Sequence, residues 1–331
     1  MKRTPHRVAV VTSLGTIFLL VAGALVTSTG SGLSVPDWPL SFGTLFPEMT
    51  GGVFYEHGHR LIAGGIAILT VIQMLAFLKW ESRPWVRKIA VGAVVLVAVQ
   101  ALMGGLTVLL RLPPETSVAH ACLAQLFFCS VVTLALVTSP SWEKNSLGVE
   151  DPNRNRGVAL ASLILTFGFF FQLLLGAIVR HTGAGLAIPD FPLAFGGLIP
   201  SQFGDGILIH FLHRMGGYSV ALYSIVLVSI LFKRLPAQFE LIMWAGGLLG
   251  FLSIQIMLGA TIIWFQRPIS ITSAHLAVGA LCFATSTVIT LKLVRLVWGA
   301  KIKKLVNGRS RSAATSGASG DSRKMEIWTP T

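Results

Sequence analysis

The chain has 331 residues, of which 53% are hydrophobic and only 12% charged, and its mean hydropathy is +0.74. A soluble domain carries about a quarter charged residues, so the composition excludes a disordered chain, a collagenous one and a soluble globular enzyme, and defines an integral membrane protein. Lys and Arg outnumber Asp and Glu by 26 to 13, a net charge of +13; these cations lie in short loops between apolar stretches, where they set orientation and meet anionic lipid rather than nucleic acid.

A bilayer core needs about 20 apolar residues per helix. In chain order, eight such spans are predicted, at 8–28, 61–78, 89–110, 116–138, 157–179, 215–232, 241–266 and 268–291. The first follows Lys2, Arg3 and Arg7 as a signal peptide would, but it outruns the usual apolar stretch of about 7–15 residues and lacks a small-x-small cleavage site. It reads as a retained span. Cys122, Cys129 and Cys282 all fall inside apolar stretches, so neither a disulfide framework nor a Cys-x-x-Cys metal site is available. They read as small core residues.

Basic residues cluster before the first span and in alternate loops, for example Lys79, Arg83, Arg87 and Lys88, whereas 30–55 holds no Lys or Arg. By the positive-inside rule both termini are cytoplasmic and the long loops face outward across the plasma membrane. The predicted division is an N-terminal four-helix bundle at 1–141, a cytoplasmic linker at 142–156, a C-terminal four-helix bundle at 157–300 and a disordered basic tail at 301–331.

The halves repeat each other. Residues 29–47 read TGSGLSVPDWPLSFGTLFP and residues 182–200 read TGAGLAIPDFPLAFGGLIP, 153 positions on. His59-Arg60 matches His213-Arg214, Gln100-x-x-x-Gly104 matches Gln255-x-x-x-Gly259, and His120 matches His275. Four spans per half give parallel repeats, related by an axis along the membrane normal. His6 lies in the N-terminal tail and carries no function.

A lone histidine in a helix bundle usually makes an interhelical hydrogen bond. Four, duplicated in both halves near the outer ends of spans, point instead to a functional site, because an intramembrane ionisable group is costly. Two imidazoles facing each other in a four-helix bundle suit axial ligation of an iron porphyrin. Zinc fits less well, since each pair lacks third and fourth ligands. Arg60 and Arg214, next to these histidines, can pair with a haem propionate or snorkel to lipid headgroups. Glycines such as Gly64, Gly65, Gly104, Gly105, Gly176, Gly216, Gly217 and Gly259 suit either a flat macrocycle or close helix packing.

The halves differ in one telling place: Glu56-His57-Gly58-His59-Arg60 against His210-Phe211-Leu212-His213-Arg214. On a helix Glu56 shares a face with His59 and His57 points elsewhere. A carboxylate there can handle protons or stabilise positive charge, or simply cap the helix. The asymmetry suggests one reactive bundle and one that holds or passes an electron.

At these residues the chain resembles the haem A synthase family, integral membrane enzymes that oxidise haem O, over roughly residues 8–297, with Glu-x-x-His-Arg at 56–60 as the most specific element. The resemblance implies an all-α membrane fold of eight transmembrane helices in two pseudo-symmetric four-helix bundles. It implies a haem b cofactor on His213 and His275, with Arg214 beside it. Substrate haem O is implied on His59 and His120, with Arg60, and Glu56 assists two hydroxylations of the C8 methyl that end in a formyl group. A haem O synthase and an external electron-transfer partner follow as expected partners, and homo-oligomerisation is left open. Some members carry a cysteine pair in the outer loop; Ser34, Val35, Pro36 and Asp37 stand here, so the chain resembles the cysteine-free branch. A di-haem electron carrier without porphyrin chemistry is the alternative, and a transporter a distant third, since transporter sites favour the midplane.

Overall fold

A computed structural model describes residues 4–144, 152–204 and 206–318. Their helices are α1 (Thr4–Ser28), α2 (Gly51–Trp80), α3 (Pro84–Leu109), α4 (Pro114–Val137), the five-residue α5 (Pro140–Lys144), α6 (Pro152–His181), α7 (Ile207–Arg234), α8 (Phe239–Trp264) and α9 (Ile269–Ala318). Eight of these are long and apolar enough to cross a membrane, and the described residues contain no β-strand. Pro84 and Pro114 start their helices at a position where the missing N–H has no intrahelical partner to lose.

Two helices begin well before their predicted spans. α2 starts at Gly51 rather than 61 and α7 at Ile207 rather than 215. The polar run around Glu56 to Arg60 depresses local hydropathy and reads as loop, yet these side chains are spent inside the fold. His59 therefore sits about 12 Å into α2, and His213, His120 and His275 each about 9 Å into α7, α4 and α9, at 1.5 Å per residue. Past its predicted span, α9 continues to Ala318. Residues 319–331, and 145–151 of the expected linker, lie outside the described residues. His6 is in α1, not a free tail, and its Nδ1 stands 3.0 Å from the Ala135 carbonyl oxygen.

In the first half α1 packs on α2, α2 on α3, α3 on α4, and α4 back on α1; α6 to α9 close the same ring in the second. α2 and α4 are thus diagonal partners, as are α7 and α9. The halves meet along α1, α4, α6 and α9. The α9 span is 61% buried against 22% for α3 and α8, so α9 runs through the middle and α3 and α8 face lipid. Phe127, Phe128, Leu134, Leu248 and Leu293 fill the core. Without a hydrophobic force between helices in lipid, dispersion and a few polar contacts hold them: Ser28 Oγ lies 3.1 Å from Ser273 Oγ across the seam. The three cysteines are free, with Cys129 and Cys282 buried.

Candidate functional site

The two long loops, at one end of the molecule, are built alike. The Asp37 carboxylate accepts the backbone N–H groups of Phe42 and Gly43 at 2.7 and 2.8 Å, and Asp190 those of Phe195 and Gly196 at the same distances. Gly43 and Gly196 have φ of 72° and 75°, a left-handed conformation open to glycine without penalty. These bonds, from Gly43 first and then Phe42, hold the Asp37 carboxyl below the usual carboxylate range, and Gly196 leads the same effect at Asp190.

Each loop is gripped from below by an arginine. Arg60 donates to the carbonyl oxygens of Asp37, Leu40 and Val35 at 2.7, 2.8 and 3.1 Å. Arg214 repeats this with Asp190, Leu193 and Ile188 at 2.7, 2.9 and 3.0 Å. The rigid fork of the guanidinium suits several carbonyls at once. Both arginines are therefore engaged with their own loops, a third role beyond propionate or headgroup.

Glu56 and His210 complete the clamps. Glu56 is 3% exposed; it accepts the Val35 N–H at 2.8 Å and pairs with Arg60 at 2.7 Å. At the matching place His210 Nδ1 lies 3.2 Å from the Ile188 nitrogen and its Nε2 3.3 Å from Arg214 Nε. A carboxylate accepts both bonds and has lone pairs to spare, whereas a neutral imidazole has one acceptor. The first half thus holds a buried carboxyl group beside its arginine, where the second has an imidazole. Glu56 lies in the second turn of α2, whose N-cap is Thr50, so it is not the helix cap. His57 points away from His59: its Nδ1 meets Ser41 Oγ at 2.7 Å and its Nε2 is buried without a partner.

The four histidines project from diagonal helices toward the middle of each ring. His213 and His275 stand with ring centroids 6.5 Å apart and planes 73° to each other. His59 and His120 lie within electrostatic reach of one another. Each ring rests on a glycine of the adjacent helix. A Cβ on Gly23, Gly104 or Gly176 would come within 3.0, 2.9 and 3.0 Å of Cε1 of His59, His120 and His213, and one on Gly259 within 3.3 Å of His275. Only a residue without a side chain permits that approach.

Glutamines then orient the rings. His275 Nδ1 lies 3.1 Å from the Gln255 backbone carbonyl oxygen, which places its proton there, and its Nε2 lone pair accepts from the Gln255 side-chain amide at 3.3 Å. Gln172 Nε2 donates to the His213 carbonyl at 2.8 Å and lies 3.0 Å from its Nδ1. Gln100 Nε2 donates to the His120 carbonyl at 2.9 Å. His59 has no such partner: Leu19 occupies the place of Gln172, and its Nδ1 is buried and unpaired. Two imidazoles sharing one metal at about 2 Å per nitrogen have centroids roughly 6–7 Å apart. The 6.5 Å pair fits that spacing. Among the described residues no three His, Cys, Asp or Glu side chains converge as a metal site, so two axial donors suit a macrocycle that brings its own equatorial ligands.

Sequence reasoning missed Gly23, Gln172, Arg180 and Arg267. Gly23 repeats Gly176 at the same offset as the loops; Gln172, Arg180 and Arg267 stand where the first half has Leu19, Thr27 and Leu112. Comparing the halves position by position reveals each.

Fold and site together define a multi-pass helical membrane protein with a pair of partly buried imidazoles in each half. The chain belongs to the cytochrome oxidase assembly protein family, COX15-CtaA, whose family model matches residues 46–287. Similar proteins include a heme A synthase of Alkalihalophilus pseudofirmus, 26% identical over 294 residues, covering 87% of this chain and 96% of the relative. One from Shouchella clausii is 30% identical over 257 residues, 74% of this chain and 82% of the relative. One from Halalkalibacterium halodurans is 28% identical over 308 residues, 89% and 99%.

Proposed function

We propose that this chain oxidises haem O to haem A in the plasma membrane, with both termini cytoplasmic and the long loops outside. The observation that carries this reading is a pair of partly buried imidazoles in each half, with a carboxylate one helical turn before the ligand in the first half alone. The names of the similar proteins support the same substrate.

His213 and His275 would hold haem b, with Gln172 and Gln255 hydrogen-bonded to the two rings. Haem b supplies one-electron transfer between an external partner and the substrate. His59 and His120 would hold the iron of haem O, which arrives from a haem O synthase. The C8 methyl would become a formyl group by two successive hydroxylations, each taking its oxygen from water and giving up two electrons and two protons, with the electrons passing to the external partner; the gem-diol then loses water. The Glu56 carboxylate would stabilise positive character at the reacting carbon. Arg60 and Val35 fix that carboxylate at 2.7 and 2.8 Å, so its position is set before substrate enters.

The test is extraction of the pigments of purified protein from haem-replete cells. Haem b should be accompanied by haem O and haem A, and Glu56→Gln should abolish haem A while sparing haem b. His213→Ala or His275→Ala should remove haem b, and His59→Ala or His120→Ala only the substrate haem. A colourless wild-type preparation would refute haem binding, haem b with neither haem O nor haem A would favour a di-haem electron carrier, and a haem A-producing Glu56→Gln enzyme would remove Glu56 from the chemistry.

A further inference from the structure

Arg180, at the end of α6, is a cation between the halves. Its Nη2 donates at 2.8 Å to both the Ala24 carbonyl and Ser28 Oγ of α1. Both acceptors are neutral. The ion pairs among the described residues are Arg60–Glu56, Arg83–Glu81 and Lys292–Glu240, and none includes Arg180 or Arg267. Arg267, in the α8–α9 turn with φ of 64°, lies over Gly185 and within electrostatic reach of Arg180. Arg180 in turn lies within reach of His275. Arg180 is half-buried and Arg267 exposed; two guanidiniums this close repel each other, and an anion between them relieves the repulsion.

The repeat shows that this charge belongs to the second half alone. Thr27 and Leu112 occupy the matching positions of the first, and Leu112 packs on Gly32 as Arg267 lies over Gly185. Arg214 is not available for the same task, since four of its five N–H groups face His210, Asp190, Leu193 and Ile188. Resting on the haem reading above, we infer that Arg180 and Arg267 receive the carboxylate groups of the porphyrin held between His213 and His275. Arg180 then ties that porphyrin to Ala24, the residue after the glycine that seats His59. The resident haem and the substrate pocket share one side chain.

The test uses the full-length chain carrying His59→Ala, so that binding reports the second half, titrated with iron protoporphyrin IX and with its dimethyl ester and followed by absorbance. The free acid should bind at least about tenfold tighter than the ester. Arg180→Gln and Arg267→Gln should each erode that preference several-fold, the double substitution should bring it near unity, and Arg180→Lys should restore part of it. On protein as purified, the glutamine variants should also lower the midpoint potential of haem b, since a nearby cation favours the ferrous state. Arg267 lies in an exposed turn, so its variant tests the idea even where Arg180→Gln fails to accumulate. An undiminished preference in the double variant would overturn the inference and assign the cations to lipid phosphate. Binding that does not depend on His213 would instead overturn the haem site itself.

Discussion

Replacing Gly176 by alanine separates the seat of a histidine from the stability of the helix that carries it. The new Cβ would lie 3.0 Å from His213 Cε1, where ordinary contact begins near 3.4 Å, so the ring must retreat by a few tenths of an ångström. Gln172 holds the neighbouring Nδ1 of that ring at 3.0 Å and the His213 backbone carbonyl at 2.8 Å, so the retreat strains that hold and breaks alignment with His275. Overpacking of this kind costs about 1–3 kcal/mol, which as a loss of ligand affinity is roughly 5- to 150-fold. Alanine in a helix interior returns up to about 1 kcal/mol of helix stability, so the folded chain should persist. The assay is haem b per chain from the reduced-minus-oxidised spectrum, beside detergent melting curves. Gly64→Ala, with nothing within 4 Å of its added Cβ, is the control, and Gly259→Ala, at 3.3 Å, should be milder. If Gly176→Ala and Gly64→Ala bind haem b equally, His213 is not an axial ligand seated by that glycine. Gly23→Ala and Gly104→Ala should spare haem b and weaken the substrate haem.

Other outcomes follow from the clamps. Glu56→His copies the second half into the first; it should keep the loop folded, as His210 does beside Ile188 and Arg214, and abolish haem A formation measured by extraction. Arg60→Lys removes a fork that grips three carbonyls and should speed proteolysis within 29–50 while leaving 182–206 unchanged; equal cleavage of both loops would refute its local role. Asp37 and Asp190 have carboxyls held below their usual value, so their support of the loops is complete above about pH 4 and lost as pH falls through the lowered pKa. Amide exchange in these loops should therefore rise only in strong acid beyond its intrinsic pH trend, and a rise centred between about pH 5 and 7 would contradict that.

Particular residues mark where the sequence could be read and where it could not. The four histidines were visible because the halves repeat, and a polar group in an apolar run stands out on its own. Arg60 and Arg214 were visible as residues but not as clamps, since their acceptors are backbone carbonyls, and every residue has one. The start of α2 was misplaced for a related reason: hydropathy averages Glu56, His57, His59 and Arg60 as if they faced water, whereas the fold spends them on one another and on the loop.

Class, span number and repeat were settled by composition and periodicity, because a bilayer admits few ways to satisfy a backbone and each leaves a long apolar signature. Tertiary structure decided the rest. Diagonal helices bring residues some 60 positions apart to 6.5 Å, glycines on a third helix seat the rings, and Arg180 crosses from one half to the other. Such contacts depend on which helix lies beside which, and that follows from the summed packing of many side chains, not from any local run of residues.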